Sequence, residues 1–415
     1  MKKVLALILA LTLAFTLAGC GTTNDANPEG VTLQFWHAMS GPNGEALDYL
    51  VAKFNEENEY DITIEATYQG GYTDLHQKIV AALTAGETPH IAQAYGNNIA
   101  VYMDSDAIVQ LDSYIDDRTY GIDDFNDIIE GYRTENSSYQ DGHFYSLPFN
   151  KSTEVLYYNK TFFEANNLEV PTTWEELETV SKAITAITGK PAFGYDSLSN
   201  LFITWTQQNG GKYTDSEENV YFNSEEAIEA VQFFVDGCEE GYFRIAGEDR
   251  YLSGPFNNQD VMMFIGSTSG SKYVGADTFE WNSAQVPFGK EEKVIQQGSN
   301  MFMLKSTEEE QLATFIFMDF LTQAENTAEW AIRSGYLPVR ESARELDIYV
   351  EFVASGENPT KDTGTSYEPD WYIFDPIFPD SYDYRMAVQA AVEEAVLGEK
   401  TVAQAIQDAY DSVAN

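Results

Sequence analysis

Residues 31–67 read VTLQFWHAMSGPNGEALDYLVAKFNEENEYDITIEAT, and this stretch decides the fold class. VTLQFW (31–36) has the β-branched and aromatic content of a strand. ALDYLVAKFNEEN (46–58) carries apolar residues at helical spacing, and DITIEAT (61–67) alternates as a half-buried strand does. Strand, helix, strand is the unit of a wound α/β sheet, because parallel neighbours need a crossover and a helix supplies it. The alternation continues downstream. DLHQKIVAALTAG (74–86) predicts a second helix, and Thr88-Pro89 lead into a strand at HIAQAYG (90–96).

After Gly142 a second set begins. HFYSLPFNKSTEVLYYN (143–159) reads as extended, and Thr173-x-x-Glu176 after Pro171 and Thr172 is a capping box. It opens a helix with the stripe Leu177, Val180, Ile184, Ile187. FGYD (193–196), helices near 200–208 and 225–240, and strands at VMMFIG (261–266) and AQVPFG (284–289) fill a second lobe. SNMFMLK (299–305) and helices at 308–323 and 324–334 repeat the building style of the first lobe, so the chain is expected to return there. One amphipathic helix is predicted from Met386 to Val413. The architecture expected is α/β in two lobes, 31–149 plus 300–340 and 150–299 plus 341–415.

The 415 residues include 23 Lys and Arg against 67 Asp and Glu, a formal charge of -44. That balance excludes nucleic acid as a partner, since phosphate binding needs clustered cations. It also opposes adhesion to an anionic bilayer through the protein's own surface. Lys2 and Lys3 precede an uncharged apolar run from Val4 to Leu17, the pattern of a signal peptide over residues 1–19. Leu17-Ala18-Gly19-Cys20 resembles the bacterial lipobox, which predicts cleavage before an acylated Cys20. Residues 20–30 then form a polar tether, and the mature chain of 396 residues carries -46. Lipid on Cys20 is the only membrane link expected, at the outer face of the cytoplasmic membrane.

Cys238 falls in a helical pattern without a neighbouring base and reads as structural. His37, His76, His90 and His143 are too scattered for a metal site, and no cofactor is expected. Nucleophile-elbow, zinc-protease and phosphate-loop motifs are missing, so an enzyme is not expected. An exported glycoside hydrolase using two carboxylates is the remote alternative. With 67 acidic residues a suitable pair is always available, so abundance is no argument for it.

A resemblance covers nearly the whole mature chain. It is carried by FWHAMSGPNGEAL (35–47), FNEEN (54–58), YQGGYTDL (68–75), LPFNKSTEVLYYNK (147–160), PTTWEEL (171–177), GSTSGS (266–271), QGSNMFML (297–304) and AENTAEWAIRSGYLPVR (324–340). In their order and spacing these stretches resemble the family-1 extracellular solute-binding proteins of ABC importers, most of all the glycerol 3-phosphate-binding branch. The resemblance implies a two-lobed periplasmic-binding-protein (Venus-flytrap) fold with hinge strands. It also implies a ligand in the central cleft, delivery to the transmembrane subunits of a permease, and a monomer.

Candidate ligand-binding residues follow from the motifs. Trp36 and His37 end the first strand and Ser40 opens the next loop, at the carboxyl end of a sheet where α/β crevices lie. The alternative for His37 is a ring bonded to neighbouring backbone. Tyr72 follows Gly70-Gly71 and either reaches the ligand, as the family's Tyr does, or packs at the helix start. Tyr95 and Asn97 stand beside Gly96, where the family's acidic residue is missing, so an amide from Asn97 or Asn98 is a substitute for sugar hydroxyls. Asn150 and Ser152, with Thr153, form a polar island at the crossing between lobes, facing either hydroxyls or backbone. The family places a ligand-contacting serine at Ser152. Ser267 and Ser269 flank a helix start, as ligand donors or as N-caps. Gly298 and Ser299 precede the returning strand, and Tyr336 in GYLP either stacks on ligand or closes the hydrophobic edge.

Trp371, in PDWYIFDPIFPDSYDY (369–384), is the aromatic candidate for stacking on a sugar face. Trp205 and Gln208 occupy the region where the phosphate-binding branch carries a stacking Trp, and that position falls on Gln208. The same branch uses an Arg upstream of the terminal helix, yet DPIFPD (375–380) holds none; Arg385 matches a different arginine, and Lys151 is the cation left for a dianion. The expected ligand is therefore a neutral oligosaccharide, with glycerol 3-phosphate or a glycerophosphodiester as the alternative.

Overall fold

The computed structural model describes residues 26–275 and 278–414. The leader, Cys20 and the first part of the tether lie outside them. In the first lobe β1 (Thr32–His37), β2 (Thr63–Tyr68) and β3 (Ile91–Ala94) run parallel in the order β2-β1-β3. The intervening helices, Gly41–Glu57 and Tyr72–Ala85, supply the crossovers. Helix Gly41–Glu57 buries Leu47, Leu50, Val51 and Phe54 on one face, the three-to-four spacing of an amphipathic helix laid on a sheet. Leu33 and Phe35 of β1 meet that layer while their neighbours point away.

Two long antiparallel strands join the lobes. β4 (Ser146–Asn159) pairs through its first half with β9 (Val294–Met303), in the register Asn150↔Ser299, Lys151↔Gly298 and Ser152↔Gln297. Its second half pairs with β7 (Met263–Ser267) and β8 (Trp281–Ala284) in the second lobe. There β7 lies beside β5 (Phe193–Tyr195), and β5 beside β6 (Phe243–Ile245), both parallel. The sheet order β2-β1-β3-β9-β4-β7-β5-β6 thus runs through both lobes. Two separate hydrophobic cores lie on either side of the crossing, one built on Leu33, Phe54, Phe149 and Met301, the other on Leu156, Phe193, Trp205 and Phe264.

At the crossing the strands are pinned by buried polar groups. The Lys151 ammonium, fully enclosed, meets Glu135 at 2.6 Å. Glu135 also accepts from the Gln296 amide and, at 3.2 Å, from Asn300. Gly298 has φ +108°, and a Cβ there would lie 1.7 Å from the Asn150 carbonyl oxygen, so only glycine fits.

Four expectations need correction. The strand expected at 284–289 lies upstream at Trp281–Ala284, because Pro287 has no N–H for a ladder and only Phe288 keeps a bridge, to Thr173. The single terminal helix is two, Ser381–Val396 and Val402–Val413. Gly398 turns left-handed at φ +72° after the first, and Thr401 with Gln404 forms a capping box that starts the second. Residues 341–353, expected in the second lobe, instead put Ala343 and Tyr349 against Ala328 and Ala331 of helix Ala324–Arg333. The capping box at 173–176 is split: Thr173 caps the Glu176 amide, while Glu176 reaches back to Thr172.

Candidate functional site

A cleft of about 740 Å³ lies between the lobes, over the crossing strands. The first lobe contributes Met39, Ser40, Asn43, Tyr72, Tyr95, Asn97 and Tyr336, which stand at or just beyond the carboxyl ends of β1 and β3 and at helix starts. The crossing gives Ser152 and Gly298, and the second lobe gives Ser199, Asn200, Ser267, Ser269 and Tyr273. Nine of the sequence-predicted residues are brought together here: Ser40, Tyr72, Tyr95, Asn97, Ser152, Ser267, Ser269, Gly298 and Tyr336.

The local contacts explain their placement. Tyr72 begins its helix after Gly71, and its hydroxyl meets Ser299 at 3.1 Å and accepts from Asn150 at 3.3 Å. Its ring lies 4.7 Å from that of Tyr95. Ser299 and Asn150 are fully buried and therefore act beneath the cleft surface, holding Tyr72. Tyr336 lines the cleft and also continues a stack through Trp330 to Phe149, with centroid spacings of 5.5 and 4.7 Å, so it closes the hydrophobic edge as well. Ser152 accepts from Ser267 at 3.1 Å, and Ser267 meets Ser269 at 2.9 Å while also accepting from the Ser269 amide. The two serines of the second lobe thus form the end of β7 as well as the cleft wall.

Five candidates lie elsewhere. His37 is enclosed, and its Nδ1 accepts from the Met39 amide at 3.2 Å, the backbone role. Burial pushes its pKa down to about 4, leaving the ring neutral. Trp36 is half-buried against the first-lobe core. Trp205 is enclosed by Trp174, Tyr195 and Phe233 in the second core. Gln208 spends both ends of its amide inside the protein, accepting from the Trp174 indole at 2.8 Å and donating to the Lys293 carbonyl at 2.7 Å. Trp371 packs edge-on against Phe288 rather than into the cleft, and the same segment offers Phe374 instead. Lys151 likewise has its charge matched by Glu135 and is no free cation. Asn98 turns away to His76.

Arg385, set aside in the sequence as matching a different arginine, and Asp375 bring charge into the cleft wall. Arg385, in the second turn of helix Ser381–Val396, donates to Asp375, to Ser199 at 3.0 Å and to Asn200 at 2.5 Å. Asp375 keeps its second oxygen buried and without a protein partner. Asp375 lies in the aromatic segment 369–384 and Arg385 directly follows it, so an Arg beside so many rings was the available signal. Behind Asn200 lies Glu154, which accepts from Asn200 at 2.8 Å and from the Tyr195 hydroxyl at 2.5 Å; burial pushes its pKa up to about 7. Chemically the site offers hydroxyls, amides and tyrosine rings around a neutralised ion pair. Among the described residues no cluster of His, Cys, Asp or Glu could hold a metal ion.

A family model described as bacterial extracellular solute-binding protein matches residues 49–360. The chain belongs to this family. It is 29% identical over 437 residues to the sn-glycerol-3-phosphate-binding periplasmic protein of Salmonella typhimurium, covering 98% of this chain and 95% of that one. The Escherichia coli K12 protein of the same name is 28% identical over 434 residues. Among solved structures, UgpB from Mycobacterium tuberculosis in complex with glycerophosphocholine superposes with a TM-score of 0.81 at 20% identity, covering 92% and 97% of the two chains. The cyclic alpha-maltosyl-1,6-maltose binding protein of Arthrobacter globiformis gives 0.79 at 24%, covering 92% and 98%. This solute-binding protein is therefore the extracytoplasmic receptor of an ABC importer, with a small-molecule ligand and a permease as partners, and it is not an enzyme. No helix among the described residues is long and apolar enough to cross a membrane.

Proposed function

We propose that this receptor captures a neutral polyhydroxylated ligand, an oligosaccharide, and delivers it unchanged to the permease. The observation that carries the reading is the Arg385–Asp375 pair. Among the described residues Arg385 is the one cationic side chain lining the cleft, and it is already matched by a carboxylate. Side by side at the cleft wall, a guanidinium donor and a carboxylate acceptor suit vicinal hydroxyls, one accepting and one donating. The tyrosines around them can lie on the apolar faces of sugar rings. A phosphate dianion would meet Asp375 as well as Arg385, in a protein of strongly negative charge.

The second reading is a phosphate ester such as glycerol 3-phosphate or glycerophosphocholine, the ligands named for two relatives. The presence of Arg385 in the cleft is the observation that favours it. One experiment separates them: calorimetric titration of the wild type and Asp375→Asn with maltotriose, maltotetraose, cyclic maltosides, glycerol 3-phosphate and glycerophosphocholine. The carbohydrate reading expects saccharide binding that Asp375→Asn weakens about tenfold, as loss of a charged hydrogen bond does. Phosphate-ester binding that Asp375→Asn strengthens would replace it.

The lipobox-like Leu17-Ala18-Gly19-Cys20 supports anchoring through acylated Cys20, with residues 21–30 as tether and the folded body a monomer. Mass spectrometry of the amino-terminal peptide from membranes checks this. Diacylglyceryl-Cys20 is expected, and Cys20→Ala should leave an unprocessed precursor.

A further inference from the structure

The second lobe contains a chain of side chains that runs from its interior to the Arg385 of the cleft wall. It starts in the interior at Tyr195 of β5, whose hydroxyl donates to Oε2 of Glu154 on β4. Oε1 of Glu154 accepts from Nδ2 of Asn200, and Oδ1 of Asn200 accepts from Arg385 in the cleft wall. Glu154 and Asn200 are each only 1% exposed, so this chain of groups lies inside the protein. The groups facing Glu154 are Tyr195 and Asp196 from the β5 edge, Asn200 from helix Leu198–Gln208, Arg385 from helix Ser381–Val396, and Tyr367, whose hydroxyl donates to the Glu154 backbone carbonyl. Ser267 of β7 lies opposite in the ladder.

An amide in such a chain has a direction. An ionised carboxylate only accepts, so it draws the NH2 end of Asn200 toward itself and turns the carbonyl end toward the guanidinium. A neutral carboxyl carries a donor and removes that constraint, and it also withdraws a negative charge from the neighbourhood of Arg385. We infer that Glu154 is a positioning residue for the cleft, holding the Arg385 guanidinium against Asp375 and Ser199 through the amide of Asn200, and that its protonation releases this hold. Burial of Glu154 places the change near neutral pH. Asp196, also buried and shifted upward, titrates nearby but accepts from the Leu252 amide and does not touch Asn200.

The consequence for ligand selection rests on the cleft reading above, whereas the orientation of Arg385 does not, and the test needs no ligand. In 15N-labelled mature protein, a guanidinium held by several hydrogen bonds rotates slowly and gives resolved Nη signals; Arg385→Lys identifies those of Arg385. The expected result is a resolved Arg385 signal at pH 8.5 that is lost by pH 5.5. Glu154→Gln, neutral like the protonated acid and carrying a donor of its own, should lack the signal at both pH values, and so should Glu154→Ala. If Glu154→Ala does not fold, Asn200→Leu takes its place with the same expected loss. A missing Arg385 signal at pH 8.5, a signal indifferent to pH in the wild type, a signal that persists in Glu154→Gln, or an unchanged signal in Glu154→Ala would each overturn the inference.

Discussion

At the scale of single residues, three buried groups contribute strongly to how stability depends on pH. Burial raises Glu154 from 4.5 and Asp196 from 3.8 to about 7 each, and lowers His37 from 6.5 to about 4. A raised carboxyl favours the folded state while the solution is acid: its contribution is complete below the unfolded value and is lost as pH rises through 7. The depressed His37 works the other way, its contribution present above 6.5 and lost as pH falls through 4. Two carboxyls against one imidazole leave a net decline between pH 4.5 and 7.5, of roughly 3 kcal/mol for one group shifted this far. Chemical denaturation over that range should show it. Glu154→Gln is expected to flatten the profile, and a profile that keeps its slope in Glu154→Gln would contradict the burial argument. None of the three shifts was visible in the sequence, because each depends on neighbours distant along the chain, such as Leu252 against Asp196.

At the scale of elements, the hinge strands carry the most constraint. Lys151 on β4 is enclosed with Glu135, so Lys151→Met would leave a buried carboxylate without its partner, at a cost of about 3–5 kcal/mol. The double variant Lys151→Met, Glu135→Gln should recover most of that loss in urea denaturation; equal losses in single and double variants would show that the pair is not coupled. On β9, Gly298→Ala drives a methyl into the Asn150 carbonyl, and the strands must part to admit it. The strands themselves were legible, since β1, β2 and β4 show period-2 or continuously apolar runs that a sheet explains. The break at Gly398 was not, because the apolar pattern continues on both sides of it and only the turn geometry divides the helices. The site divides in the same way. Serines and tyrosines beside glycines, such as Tyr72 and Ser269, were readable from turn chemistry. Trp205 and Gln208 share a helix register with true wall residues Ser199 and Asn200, and which face turns inward is fixed by Trp174 and Phe233 from other elements.

At the scale of the whole molecule, the rim of the cleft leaves tyrosines exposed that a soluble surface does not need. Tyr251 is 68% exposed, Tyr273 50% and Tyr382 47% on the second lobe, facing Tyr95 on the first. In the proposed cycle the lobes approach about β4 and β9, ligand favours the closed state, and these rings become the lid. A saturating ligand at about 100 times its dissociation constant then adds roughly 2.7 kcal/mol to folding, visible as a thermal shift, and small-angle scattering should report a smaller radius of gyration. Tyr251 separates closure from folding. Its ring makes little of the free protein's packing, so Tyr251→Ala should alter unfolding by less than about 0.5 kcal/mol. A ring that stacks on a sugar in the closed form contributes about 1 kcal/mol, so the same variant should bind saccharide about fivefold more weakly. Equal affinity in Tyr251→Ala and wild type would place that ring outside the closed site and confine the ligand to the deeper cleft around Tyr72, Tyr336 and Arg385.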